Sequence, residues 1–489
     1  MYLYIRLKFL IIFIFLLIGC QNKPTFFEKI DLSQSNLNFT NEITESESFN
    51  ILESEFIYNG AGVALGDING DGFDDILVGA AKVDPYGSTF AGMSKIVFGA
   101  SSFPDRIDLV RISGNNGNGF TIYGADAVSH SGAAVSGAGD FNGDGLNDCI
   151  IGAPESETGL NFREGRGYLV FGSTNLPNNM KVSDLDGSNG AIISGPDTLT
   201  GNMGRSVSEA GDFNNDGIDD IVIGAPAAKL TTTIYSYGAA YVLFGASTLS
   251  DDTINVANLN GNNGFMIPAL DIGDHLGYSV SGAGDFNGDG IDDIVVGAPR
   301  VQVNGPSGVT YPGASYIIFG TSTPPQSLDI SNLNGNNGIT IHGADLDSKS
   351  GKSVSNTGDF NGDGIDDIMV CANGTDAGKC YVIFGNSSPS ASLDLDNLGQ
   401  NDGFIIQGTE SGSRFGRYSS CAGDVNGDGI DDILISAPYT TTAVPGELFL
   451  LFGKSSAWAA TVDVTTISAT DGAKMVGSVS EGQDFFGRG

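Results

Sequence analysis

The chain has 489 residues, more than one ordinary compact domain, with 40% hydrophobic residues and 72 glycines against 16 prolines. That much glycine excludes a helical protein and suits many strands meeting at tight turns. A formal charge of −36 excludes a nucleic-acid partner, whose phosphates require Lys and Arg.

Residues 1–19 read as a signal peptide. Arg6 and Lys8 precede an apolar run from Phe9 to Ile18, too short to span a bilayer, which ends Leu17-Ile18-Gly19-Cys20. A small residue followed by Cys resembles a bacterial lipobox, which makes Cys20 the expected lipidation site and the chain an exported, lipid-anchored protein. The alternative is a plain signal peptide and a secreted protein. Residues 20–47 are polar and read as a tether. Within it, Ile30-Asp31-Leu32 and Asn36-Leu37-Asn38 echo Leu328–Asn334 of a later repeat, as the remnant of a further unit would.

From about residue 48 to 489 one unit recurs. Asp285-Phe286-Asn287-Gly288-Asp289-Gly290-Ile291-Asp292-Asp293 has close copies beginning at Asp67, Asp140, Asp212, Asp359 and Asp424, at intervals of 73, 72, 73, 74 and 65 residues. A fixed period of this kind marks a repeat architecture. In the fourth unit Tyr278–Ser281 alternates as a strand does, and the acidic loop follows. Ile294–Pro299, Ser315–Gly320 and Ile339–Gly343 give three more strands, with a linker at Leu328–Gly338. Four short antiparallel strands per unit without helical periodicity predict an all-β fold, a β-propeller of four-stranded blades. A β-solenoid is the rival, but simple β-coils repeat every 20–30 residues or so. The six repeats span about 60–125, 131–195, 203–268, 276–343, 350–408 and 415–477. Phe485–Gly489 matches the opening of another, so the expectation is seven blades with the last incomplete, against six with frayed ends.

Each loop offers side-chain oxygens at positions 1, 3, 5 and 9 and a backbone carbonyl at position 7. Ca²⁺ takes six to eight oxygen ligands, and softer metals want nitrogen or sulfur. The predicted ligands are Asp67, Asn69, Asp71, Phe73 and Asp75 in the first loop and Asp140, Asn142, Asp144, Leu146 and Asp148 in the second. The third has Asp212, Asn214, Asp216, Ile218 and Asp220, and the fourth Asp285, Asn287, Asp289, Ile291 and Asp293. Asp359, Asn361, Asp363, Ile365 and Asp367 make the fifth, and Asp424, Asn426, Asp428, Ile430 and Asp432 the sixth. Phe, Leu and Ile contribute carbonyls, and about one Ca²⁺ per blade is expected. Position 8, acidic except for Asn147, reads as an outer or capping group. Twenty-three of the 58 acidic residues lie in these loops, four in each except three in the second, so the charge is largely a site property. An EF-hand needs Glu at position 12 and flanking helices; here Ile223, Val296 and Val370 stand at position 12 and the flanks are strands.

Cys149 replaces Ile76 of the first unit and reads as a core residue. Cys371 and Cys380 fall near the two ends of one hairpin and are candidates for a disulfide in an exported protein; their spacing makes a poor zinc site.

The loops, the Phe415-Gly416 signal (Leu276-Gly277 and Met203-Gly204 elsewhere) and Gly-Ala-Pro at 152–154, 224–226 and 297–299 resemble FG-GAP repeats. These form the seven-bladed propeller of integrin α chains and of GPI-specific phospholipase D. The resemblance covers roughly residues 56–489 and implies calcium in the hairpin between a blade's first two strands. Gly79-Ala80-Ala81, Cys371-Ala372-Asn373 and Ser436-Ala437-Pro438 depart from the pattern without touching the ligands. The phospholipase's catalysis lies in a separate His-rich N-terminal domain, which the resemblance does not bring. His130 and His275 share one register with Lys349 and Arg414, and no nucleophile elbow or P-loop is present. The expected function is a surface-anchored, calcium-binding propeller that engages a protein or glycan ligand or acts in adhesion, not an enzyme. It would touch the membrane only through its N-terminal lipid. A propeller hydrolase or lyase acting on polysaccharide or lipid is the alternative. Ligand contacts are expected in variable loops such as Thr231–Tyr237 and Val301–Tyr311, with Tyr235, Tyr237 and Tyr311 suited to an interface.

Overall fold

The computed structural model describes residues 63–476, apart from 104–106, 108, 113–116, 157–163, 196–200, 230–236, 250, 306–307, 375–376, 409 and 439–445. The signal peptide, Cys20, the tether, Tyr235 and the seventh-blade opening at 485–489 lie outside the described residues.

The described chain is a six-bladed β-propeller of antiparallel sheets, with no α-helix among the described residues. None of its helices is long and apolar enough to cross a membrane. Blade 4 shows the plan. Ser279–Gly284 pairs with Asp293–Ala298, which pairs with Ala314–Ile318, which pairs with Gly338–His342. The second and third strands are buried on both faces, so they read as the apolar runs Ile294-Val295-Val296 and Tyr316-Ile317-Ile318. Val301–Tyr311, expected as a variable loop, forms an extra hairpin of Val303–Gly305 with Gly308–Thr310.

The core lies between blades. Val222, Val242, Phe265 and Ile267 of blade 3 pack on Val280, Ile294, Val296 and Tyr316 of blade 4, and the same layer repeats between the other neighbours. Val63 is the counterpart of Val135, Val207, Val280 and Val354 by strand register. It is 63% exposed where those are at most 9% exposed, because no described blade packs on that face of blade 1.

Each blade has four strands of its own, as expected, and most gain a fifth from outside their repeat. Three residues of the next repeat's linker add to the outer edge in parallel. Asn179–Lys181 lies on blade 1, Thr253–Asn255 on blade 2, Ser392–Asp394 on blade 4 and Thr461–Asp463 on blade 5. Blade 3 has a single bridge, Met266 with Ser327. A one-turn 3₁₀ helix follows, capped in blades 3–6 by Asn255, Asp329, Asp394 or Asp463, whose side chain accepts from the N–H two residues on. The added strand covers hydrogen-bonding groups that an edge would otherwise expose.

Candidate functional site

The six acidic loops join the first and second strands of their blades and share one geometry. In the fourth loop Asp285 accepts from the backbone of Asp289 at 2.9 Å and of Gly290 at 2.8 Å. Asp289 accepts from the N–H of Ile291 at 3.0 Å, leaving that residue's carbonyl for other partners. The turn needs a positive φ at position 6, and Gly290 supplies 89°. Asn215, in place of Gly at position 4 of the third loop, sits at φ 57°, as Asn tolerates.

Position 9 anchors the loop. Asp75, Asp148, Asp220, Asp293, Asp367 and Asp432 have no exposed surface. Asp293 accepts from Asn287 N–H at 3.2 Å and from Gly320, beyond the third strand, at 2.8 Å. Gly99, Gly172, Gly245, Gly385 and Gly453 make the same bond in the other blades. Burial pushes Asp220, Asp293 and Asp367 up to about 8 and Asp148 to about 7. The loop's own carboxylates at positions 1 and 5 add to the rise, against the lowering pull of the backbone donors. Asp75 and Asp432 rise to about 6 for the same leading reason.

The donor set suits a hard cation, being all oxygen with three carboxylates and no basic residue in any loop. The residues expected as ligands share each loop in sequence. Their oxygens are turned to backbone donors, and among the described residues no three acidic, His or Cys side chains are arranged as a cluster that could hold a metal ion.

Position 8 does something the sequence reading missed. Its side chain points away from its own loop and accepts the position-1 N–H of the preceding blade. Asp219 takes Asp140 at 2.7 Å, Asp292 takes Asp212 at 2.9 Å, Asp366 takes Asp285 at 2.9 Å and Asp431 takes Asp359 at 3.1 Å. Asn147 takes Asp67 through its amide oxygen at 3.2 Å. It is a staple between blades, not an outer or capping group of its own loop. The residue before position 1 is Gly in all six repeats. At Gly139, Gly211, Gly284 and Gly358 a Cβ would lie 2.0–2.2 Å from the stapling carboxylate. That invariant glycine was the legible signal.

At the other end of each first strand, His130, Asn202, His275, Lys349 and Arg414 share a positive φ of 49–58°. The register noted in the sequence is thus a left-handed turn. His275 O accepts from Tyr278 N at 3.2 Å and Asn202 O from Arg205 N at 3.1 Å, fixing the residue that follows the repeat's glycine. That glycine approaches the previous blade, where a Cβ on Gly224 or Gly297 would fall 2.1 Å from the carbonyl of Gly277 or Gly351. Cys371 takes this place in blade 5. It is disulfide-bonded to its cross-strand partner Cys380, Cα atoms 4.1 Å apart, against Gly416. Cys149 is buried in the layer between blades 1 and 2.

Comparison with known families finds FG-GAP repeats at residues 59–97, 204–243, 276–318 and 416–447. The chain is 29% identical over 305 residues to integrin alpha pat-2 of Caenorhabditis elegans, covering 60% of this chain and 21% of the relative. It is 30% identical over 190 residues to integrin alpha-5 of Xenopus laevis, covering 37% and 15%. To phosphatidylinositol-glycan-specific phospholipase D of Bos taurus it is 32% identical over 183 residues, covering 36% and 20%. The matched region is about a fifth or less of each relative's length.

Proposed function

We propose that this chain of FG-GAP repeats is a calcium-stiffened binding or adhesion module, exported and held at a cell surface by lipid on Cys20. One observation carries the reading. Six oxygen-only loops with mutually repelling carboxylates stand at the same end of every blade, and five staples link them in order from the first to the sixth. The similarity to integrin α chains supports a ligand-binding propeller and an extracellular setting.

Positions 1, 3, 5 and 9 and the carbonyl of position 7 would hold the ion in each loop. Its charge would offset the burial, and the repulsion that adds to it, by which the position-9 carboxyls are raised. The chain's own residues do the rest. Position 9 ties the loop to the end of the third strand, and position 8 passes that order to the preceding blade. Exposed loops of this size resemble extracellular calcium sites, with dissociation constants of about 0.1–1 mM. At about 1 mM calcium and a constant of 0.1 mM each occupied loop contributes about 1.4 kcal/mol. The face away from the loops is left for the ligand.

The test is a calcium titration of EDTA-treated protein followed by melting temperature. A rise through the millimolar range is expected, and a curve indifferent to calcium from zero to several millimolar removes the stiffening role. Turnover of phospholipid or polysaccharide by the purified protein would replace the binding reading with a catalytic one.

A further inference from the structure

The chain has 22 Lys and Arg against 58 acidic residues, yet several of its cations share one register of the repeat. The residue after each repeat's glycine is Ala133 in blade 2, Arg205 in blade 3, Tyr278 in blade 4, Lys352 in blade 5 and Arg417 in blade 6. Each lies one or two residues before its blade's first strand, and those first strands touch in order from blade to blade. These residues therefore ring the axis at the mouth opposite the acidic loops.

Arg205 Nη2 lies 3.4 Å from the Tyr278 hydroxyl, and its guanidinium carbon is 5.0 Å from the centre of that ring. Arg417 stacks at 5.5 Å on Tyr418 beside it. Among the described residues no carboxylate lies within salt-bridge distance of Arg205 or Lys352, whereas Lys379, Lys454, Lys474 and Arg166 away from the axis are each paired.

The electrostatics agree with this placement. Burial pushes the Tyr278 phenol up, but the charges of Arg205, Lys352 and Arg417 outweigh it and hold it below its ordinary value. Lys352 is lowered by burial, against a raising pull from Tyr278, and further by Arg417, Lys349 and Arg414. One phenol can feel residues of blades 3, 5 and 6 only near the axis. At the other end Glu209 and the stapling carboxylates make the axis negative; Glu209 is open to solvent, but crowding by the surrounding protein and then the charges of Asp219 and Asp292 raise it to about 7.

We propose that this mouth binds a single oxyanion group, held by the guanidinium of Arg205, the ammonium of Lys352 and the guanidinium of Arg417 with the Tyr278 hydroxyl as a further donor. Guanidinium donors match carboxylate, sulfate and phosphate geometry. An extended polyanion is disfavoured, because the chain's overall charge of −36 repels it. The group is carried by a small solute or by an acidic side chain of a partner. The proposal names a ligand class for the binding module and rests on that reading.

The test uses the whole chain, titrated with sodium sulfate against sodium chloride at constant ionic strength and followed by the phenolate absorbance of tyrosine. Saturable binding is expected, weakened at least tenfold in R205S and in R417S and abolished in the double variant, with K82S on the exposed surface unchanged. K352R should keep most of the affinity, a readout that a folding defect would not produce. A tetraglutamate peptide displaced by sulfate assigns the group to a partner's side chain. Sulfate binding without peptide binding assigns it to a solute. Equal sulfate affinity in wild type and R205S/R417S overturns the site. Loss of sulfate binding with surface adhesion intact overturns this site but leaves the binding module standing; the converse removes the module alone.

Discussion

Replacing Gly284 with Ala isolates the blade-to-blade staple. Gly284 sits at φ 60°, and a Cβ there would lie 2.1 Å from Asp366 Oδ2, which accepts Asp285 N–H at 2.9 Å. The left-handed backbone alone costs Ala about 1–2 kcal/mol. The methyl also expels the carboxylate, and a hydrogen bond to a charged group contributes about 1.5–3 kcal/mol. Gly284→Ala should therefore cost about 2.5–5 kcal/mol. Gly423 holds the same register at φ 62°, with nothing among the described residues within 4 Å of its added Cβ. Gly423→Ala should cost the backbone part alone, about 1–2 kcal/mol. Asp366→Ala should cost about 1.5–2 kcal/mol. Asp366→Asn should cost less, since Asn147 already performs the task in blade 2. The double variant Gly284→Ala/Asp366→Ala loses the staple only once and should fall short of the sum by the staple's own worth, about 1.5–2 kcal/mol. Urea denaturation in saturating calcium measures all five. Equal costs at Gly284 and Gly423, or strict additivity at Gly284 and Asp366, would refute the reasoning.

Glu209 gives a pH dependence. Its folded value of about 7 exceeds the ordinary 4.5, so the folded state holds the proton more tightly. The stability it contributes is present in acid and is lost as pH rises from about 4.5 to about 7. Melting temperatures of calcium-free protein should thus fall less between pH 5 and 7.5 in Glu209→Gln than in wild type, and parallel curves would reject the assignment. Reducing Cys371–Cys380 opens a short cross-strand loop and should cost about 2–3 kcal/mol by chain entropy, read as a lower denaturation midpoint with dithiothreitol. No shift would mean the bond is absent from the purified protein. Asp293→Asn removes an expected ligand and a buried anchor together, so it should lower both calcium affinity and calcium-free stability. An effect on stability alone would count against coordination by position 9.

The blades were legible because their hairpins are local. Ile294-Val295-Val296 and Tyr316-Ile317-Ile318 declare buried strands by composition, and the acidic loop fixes their order. The edge strand was not, because Ser392–Asp394 is short and polar and pairs with residues of another repeat. The staple was half legible: the invariant glycine and the acidic eighth position stood in view, but they meet across 79 to 81 residues at Asp140–Asp219, Asp212–Asp292 and Asp285–Asp366. The cationic mouth left no repeat signal, since Arg205, Tyr278, Lys352 and Arg417 are different residues at one register.

The borrowed edge strand bears on how such a chain leaves the translation machinery. Blade 4 has all four of its own strands once His342 has been made, but its outer rim stays open until Ser392–Asp394 follows. During synthesis each blade thus trails an unsealed, aggregation-prone flank for most of a repeat. A stall between repeats would leave that flank for another nascent copy, so in this architecture the pace of elongation is part of quality control.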